Sequence, residues 1–224
     1  MFKDKKVWII NLVLFLITIA TDVCFIVLGM PYIFKTISSV LFVILGIINF
    51  IFIFKLEQRN KLFKYFMLLG LVFACLGDIV LIDYFIYGAI LFAIGHVFFF
   101  VAYSILHKIN WKDIVIALAI FAVALVVILA LPIFSFNGML PVVIVYAFII
   151  SFMLGKAISN FAFNKEFKTQ NLIIMIGSIL FFLSDLMLLF NVFADVSNIF
   201  DIMCLVLYYP AELILASSIY YSNI

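Results

Sequence analysis

The sequence predicts an all-α fold: a polytopic membrane bundle of eight transmembrane helices, forming one integral membrane domain over residues 1–224. Three observations predict it. Hydrophobic residues make up 70% of the chain and charged residues 11%, far from the balance of a soluble domain. Apolar stretches of about 20 residues, the length that crosses a hydrocarbon core, recur along the whole chain. Nearly all the basic residues fall in alternate connections between those stretches.

The predicted spans run roughly over 7–29, 33–54, 64–82, 85–106, 113–133, 138–159, 169–193 and 199–221. The first follows Lys3, Lys5 and Lys6. It is longer than a signal-peptide core, no clear A-x-A site follows it, and it holds Asp22, so it reads as a retained helix. The second opens with Lys35. The third and seventh carry Asp78 and Asp185, the fourth carries His96, and the eighth carries Tyr208, Pro210 and Glu212. The fifth and sixth hold no acidic residue near their centres and read as apolar spans.

The second connection holds Lys55, Arg59, Lys61 and Lys64, the fourth holds Lys108 and Lys112, and the sixth is flanked by Lys156, Lys165 and Lys168. The odd-numbered connections are short and lack Lys and Arg. Twelve of the thirteen basic residues therefore lie on one side, which places both termini in the cytoplasm of a protein of the plasma or inner membrane. Trp8 and Trp111 sit at the cytoplasmic ends of their helices, as an aromatic belt requires. Lys35 is the exception, at the outer end of the second span.

Two spans share a polar pattern, G-x5-L-[GS]-D-x2-L. Gly70, Leu76, Gly77, Asp78 and Leu81 match it, and so do Gly177, Leu183, Ser184, Asp185 and Leu188. An aspartate near a helix centre costs roughly 2.5–3.5 kcal/mol on insertion scales, so two matched ones point to use. Both carrier helices run in the same direction, four helices apart. That fits a four-plus-four arrangement about an axis along the membrane normal. Gly70, Ala74 and Asp78 share one helix face, letting a neighbour pack beside the carboxyl.

Asp22, Asp78, Asp185, His96, Glu212 and Lys35 thus all lie in the outer half or centre of the membrane. Two carboxyls in a low-dielectric site can divide the roles of acid and charge-stabilising anion. The aspartates are expected to face one cavity, with His96 and Glu212 in its wall and Lys35 near its mouth. Tyr208 shares a face with Glu212. Cys24, Cys75 and Cys204 show no ligand spacing, and two histidines without clustered Cys or Glu argue against zinc. No phosphate loop, G-x-S-x-G or C-x-x-C is present. No cofactor, metal or nucleic-acid partner is expected.

With these motifs placed, the chain resembles the YhhN-like lysoplasmalogenase family. The resemblance rests on Phe34-Lys35, on Gly70-Leu71 with Leu76-Gly77-Asp78, and on Gly88 with His96. It continues through Gly177 with Leu183-Ser184-Asp185, and Tyr208-Tyr209 with Ala211. Thr36 stands where members usually have proline, and Glu212 where they usually have glutamine. The resemblance implies hydrolysis of the vinyl-ether bond of lysoplasmalogens to a fatty aldehyde and a glycerophospho-ethanolamine or -choline. It implies catalytic roles for Asp78 and Asp185. Lys35, His96, Ser184, Tyr208 and Glu212 would support them or bind the lysophospholipid.

Two other classes stay open. A proton-coupled transporter or channel also buries Asp, His, Glu and Lys near the midplane. An intramembrane aspartyl protease also uses two membrane aspartates, but Cys75 and Glu212 depart from its G-x-G-D and Pro-Ala-Leu motifs. The orientation itself is testable by cysteine labelling of intact cells. Asp195→Cys should react with an impermeant reagent and Arg59→Cys should not; the reverse would overturn the assignment of leaflets.

Overall fold

The chain forms eight consecutive helices: α1 Lys5–Leu28, α2 Ile33–Leu56, α3 Lys61–Leu81, α4 Phe85–Leu106, α5 Trp111–Ala130, α6 Leu140–Phe163, α7 Lys168–Phe193 and α8 Ile199–Ser218. A computed structural model describes residues 5–29, 31–56 and 60–221; Lys3 and Arg59 lie outside the described residues. All eight helices are long and apolar enough to cross a membrane, which makes this a multi-pass membrane protein. Helix ends depart from the sequence expectation by a few residues in either direction: α6 runs on to Phe163, whereas α5 stops at Ala130 and α8 at Ser218.

Lys156 is one polar residue of α6. The sequence places it three residues before the end of the sixth span; the helix runs on to Phe163, and Lys156 is fully buried. Its ammonium donates to Asp113 Oδ2 at 2.7 Å and to the Lys108 carbonyl at 3.2 Å. Asp113 also belongs to a capping box with Asn110, which fixes the start of α5. Beside it, Gly155 allows α6 to approach closely, since a Cβ there would meet the Ala117 backbone at 2.7 Å. At this end of the bundle, His107 meets Asn171 Nδ2 at 3.2 Å. Burial, with the Lys156 charge nearby, holds His107 below its usual pKa, so its Nε2 can accept that hydrogen bond.

Packing repeats after four helices. Helix α3 packs on α4 as α7 packs on α8, and α1 on α2 as α5 on α6. Helix α2 packs on α3 as α6 on α7, and α8 packs on α2 as α4 on α6. The four-plus-four arrangement read from the two aspartate patterns thus has a counterpart in helix packing. It breaks at two places: α3 packs on α8, whereas α7 does not pack on α4 among the described residues. Helix α1 also packs on α8, whereas α5 does not pack on α4 among the described residues.

Polar pairs hold α1 there. Asn11 and Asn49 exchange amide hydrogen bonds of 2.9 Å in both directions, and Ser217 Oγ on α8 donates to Asn11 Oδ1 at 3.1 Å. Farther along, the Thr21 and Ser38 hydroxyls meet at 2.7 Å. In hydrocarbon such pairs satisfy groups that water cannot reach.

The buried ion pair gives a test of the fold. Asp113→Asn leaves the Lys156 charge uncompensated and should cost about 3–5 kcal/mol, lowering the melting temperature in detergent sharply. The double change Asp113→Leu with Lys156→Met should recover most of that loss, read by the same melt.

Candidate active site: two aspartate shells

Asp78 lies in α3 two turns beyond Gly70 and is buried. Gly70, Ala74 and Gly77 line the α3 face toward α4, where added side chains at the glycines would collide with Phe99 and Phe92. Its Oδ2 accepts two hydroxyl hydrogen bonds, from Ser39 on α2 and Tyr208 on α8, each at 2.7 Å. The Tyr209 hydroxyl donates to the Lys35 carbonyl at 3.1 Å, and Ser39 Oγ lies 3.0 Å from the same carbonyl. Lys35 itself is half-buried and near enough to Asp78 and Asp22 to act on both electrostatically.

Asp185 has a matching shell from the other half of the chain. Its Oδ2 accepts from the Tyr146 hydroxyl on α6 at 2.7 Å and lies 3.3 Å from His96 Nε2 on α4. His96 Nε2 and the Tyr146 hydroxyl are themselves 2.9 Å apart. The correspondence is close: each hydroxyl, Ser39 or Tyr146, lies 39 residues before the aspartate it serves. The second partner comes from α8 in one shell and from α4 in the other, the same pairs that exchange in the packing.

One aromatic wall joins the shells. The Phe181 ring stands edge-on to His96 at 4.6 Å and to Tyr208 at 5.3 Å. Phe92 closes the wall at 5.9 Å from Tyr208 and 6.4 Å from Phe181. Instead of the single cavity that the sequence led us to expect, two narrow clefts reach Asp185, and Asp78 lines neither. One, of about 70 Å³, opens between α4, α6 and α7; the other, of about 100 Å³, opens between α5, α6 and α7. The bulk of Phe92, Phe181 and Tyr208 fills the space between the carboxyls.

The remaining candidates separate. Glu212 is fully buried within electrostatic range of both aspartates, and neither carboxyl oxygen has a hydrogen-bond partner among the described residues. His96 Nδ1 and Asp22 Oδ1 are likewise buried and unpartnered. Ser184 turns away from the site: its hydroxyl donates back to the Phe181 carbonyl at 2.7 Å, inside α7. No group of three metal-ligating side chains occurs among the described residues.

A family model, that of the YhhN family, matches residues 30–219. The chain belongs to the YhhN family. The match covers α2 to α8 and therefore both aspartate shells, while α1 precedes it. No curated protein and no solved structure matches the chain significantly.

Sequence reasoning found both aspartates, His96 and Tyr208, and missed Ser39 and Tyr146. The signal was available in the repeat. Aligning the two Asp-bearing patterns places Ser39 opposite Tyr146, but a serine and a tyrosine do not look alike as letters. They agree only as hydroxyl donors.

Glu212 offers a direct check of this geometry. An unpartnered buried carboxyl is costly, so Glu212→Gln in this YhhN protein should melt at or above the wild-type temperature. A fall of several degrees would mean that the carboxyl makes a hydrogen bond that glutamine cannot replace.

Proposed function

We propose that this YhhN-family protein hydrolyses the vinyl-ether bond of lysoplasmalogens. The observation that carries the reading is the pair of aspartates, each held by its own hydroxyl and ring partner, and set near one another in an otherwise apolar bundle. Vinyl-ether cleavage begins with protonation of the β-carbon by a carboxylic acid, which leaves an oxocarbenium-like cation. The second carboxyl, ionised, stabilises that cation. Water adds to the cationic carbon and returns a proton to the carboxylate. The hemiacetal then breaks its bond to the glycerol oxygen, releasing fatty aldehyde and the glycerophospho-ethanolamine or -choline. Acid and anion are divided here as in glycosidases.

In this reading Lys35 meets the lipid phosphate as a point charge near the membrane surface. His96 and Tyr146 orient Asp185; Ser39 and Tyr208 orient Asp78. Glu212 tunes the pair electrostatically. By the distribution of basic residues, the reaction takes place in the outer leaflet. A transporter would require a polar path to the opposite face. Two polar pairs toward that face, Lys156–Asp113 and Asn160–Tyr103, are instead tied into helix-to-helix bonds of 2.7 and 2.9 Å.

Purified protein incubated with lysoplasmalogen should release aldehyde, and the matching lyso-acyl lipid should release none. Asp78→Asn and Asp185→Asn should each lower kcat by at least about 100-fold while the protein stays folded, because asparagine keeps the volume and loses the titrating proton. Lys35→Ala should mainly raise KM. Wild-type rates in both Asp→Asn variants would end the hydrolase reading.

A further inference from the structure

The two aspartate shells are built alike, but they are not equally reachable. In the first half, α1 lies over the seam between α2 and α8, held by Asn11, Asn49 and Ser217. Asp78, behind that seam, is buried. In the second half, α5 stands where α1 would stand by the repeat, yet it packs on α6 alone. The Lys156–Asp113 pair and the Gly155–Ala117 contact hold it there. The seam between α4 and α6 is therefore left uncovered, and Asp185 behind it is partly exposed.

That seam is a groove of about 330 Å³ made by α4 and α6 alone, with Ile86, Ala89 and Ala93 on one side and Val142, Val145 and Tyr146 on the other. The alanines, one turn apart, make room where larger residues would fill it. Ala89, Val142 and Tyr146 also line the inner cleft that ends on Asp185, so groove and cleft adjoin and share one wall. Tyr146 stands at the junction: its ring forms the groove wall and its hydroxyl holds the Asp185 carboxyl. Asp185 lies eight residues before the end of α7, a depth of about 12 Å. A lipid whose headgroup stays at the membrane surface would bring its first chain carbons to that level.

We propose that the α4–α6 seam is a lateral portal that binds one hydrocarbon chain of a membrane lysolipid and presents its ether end to Asp185, with Tyr146 as the positioning residue. The occupant follows from the surroundings. The groove is apolar along its length, opens sideways among lipid chains, and is walled by only two helices, which leaves it the width of one chain. Asp185 is then the carboxyl that meets the vinyl ether and gives the proton, and Asp78 acts from behind the aromatic wall. This assignment of roles rests on the hydrolase reading; the binding of the chain does not.

The test therefore reads binding without turnover. A 1-O-alkyl lysophosphatidylcholine, whose saturated ether cannot be cleaved by protonation, carries a diazirine in its chain. The protein is embedded in phosphatidylcholine nanodiscs, irradiated, digested and mapped by mass spectrometry. Adducts should concentrate on the peptides holding Ile86–Ala93 and Val142–Ile149, and should be lost when unlabelled lysolipid is added. They should also be lost in Ala93→Trp and, with a smaller side chain, in Ala89→Leu.

A two-chain lipid with the same diazirine should leave that groove unlabelled. Adducts gathered instead in the groove between α1, α7 and α8, near Trp8 and Leu213, or spread evenly over all lipid-facing helices, would overturn the portal. The wild-type map decides this even if a variant fails to fold. Tyr146→Phe should keep the adducts and, with lysoplasmalogen as substrate, shift the pH profile of kcat while leaving KM unchanged. An unchanged profile would remove Tyr146 from its positioning role. Labelling of the groove without aldehyde release from lysoplasmalogen would leave the portal standing and remove the hydrolase. Aldehyde release with labelling elsewhere would do the opposite.

Discussion

A carboxyl group set among hydrocarbon must be given hydrogen-bond donors by the protein itself, because no water is there to supply them. The arrangement of this bundle follows from that constraint applied twice. Asp78 on α3 draws Ser39 from α2 and Tyr208 from α8; Asp185 on α7 draws Tyr146 from α6 and His96 from α4. Each shell thus needs three helices that are not all consecutive, and meeting both needs fixes which helices become neighbours across the bundle centre. The small residues of α3, Gly70 and Gly77, allow α4 to come close enough for its rings to reach the interior.

The same constraint explains what lies between the shells. Two carboxyls near one another repel when both are ionised, and rings of Phe181, Phe92 and Tyr208 separate them while keeping them in one apolar enclosure. In that setting two aspartates can do different work despite equivalent partners. Glu212 stands apart as a carboxyl without donors, and a group so placed has been given no hydrogen-bonded orientation by the fold. Its effect on the site is that of a nearby acid, not of a fixed contact.

Near-symmetry also gives meaning to the places where it fails. A repeat with both seams covered would enclose both carboxyls; one with both uncovered would open both to lipid. The difference comes from where two helices were fastened. Amides and a hydroxyl tie α1 across two partners, whereas an ion pair and a glycine contact tie α5 to one. These are contacts far from either aspartate in sequence, yet they accompany the difference between a buried Asp78 and a partly exposed Asp185.

The eight spans, their order and the two aspartates were legible in the sequence, because burial in lipid demands long apolar runs and makes any carboxylate within them conspicuous. The family resemblance could also be read there, from short motifs in a fixed order. Only the tertiary structure paired Lys156 with Asp113 and turned the Ser184 hydroxyl into its own helix. It also brought in Ser39 and Tyr146 and divided the expected single cavity with an aromatic wall. The reason is physical. Hydrophobicity is a property of each residue and survives in a one-dimensional reading. A hydrogen bond between residues 39 apart, or a seam left open by a helix that leans one way, depends on how helices rotate and pack, and no single segment encodes that by itself.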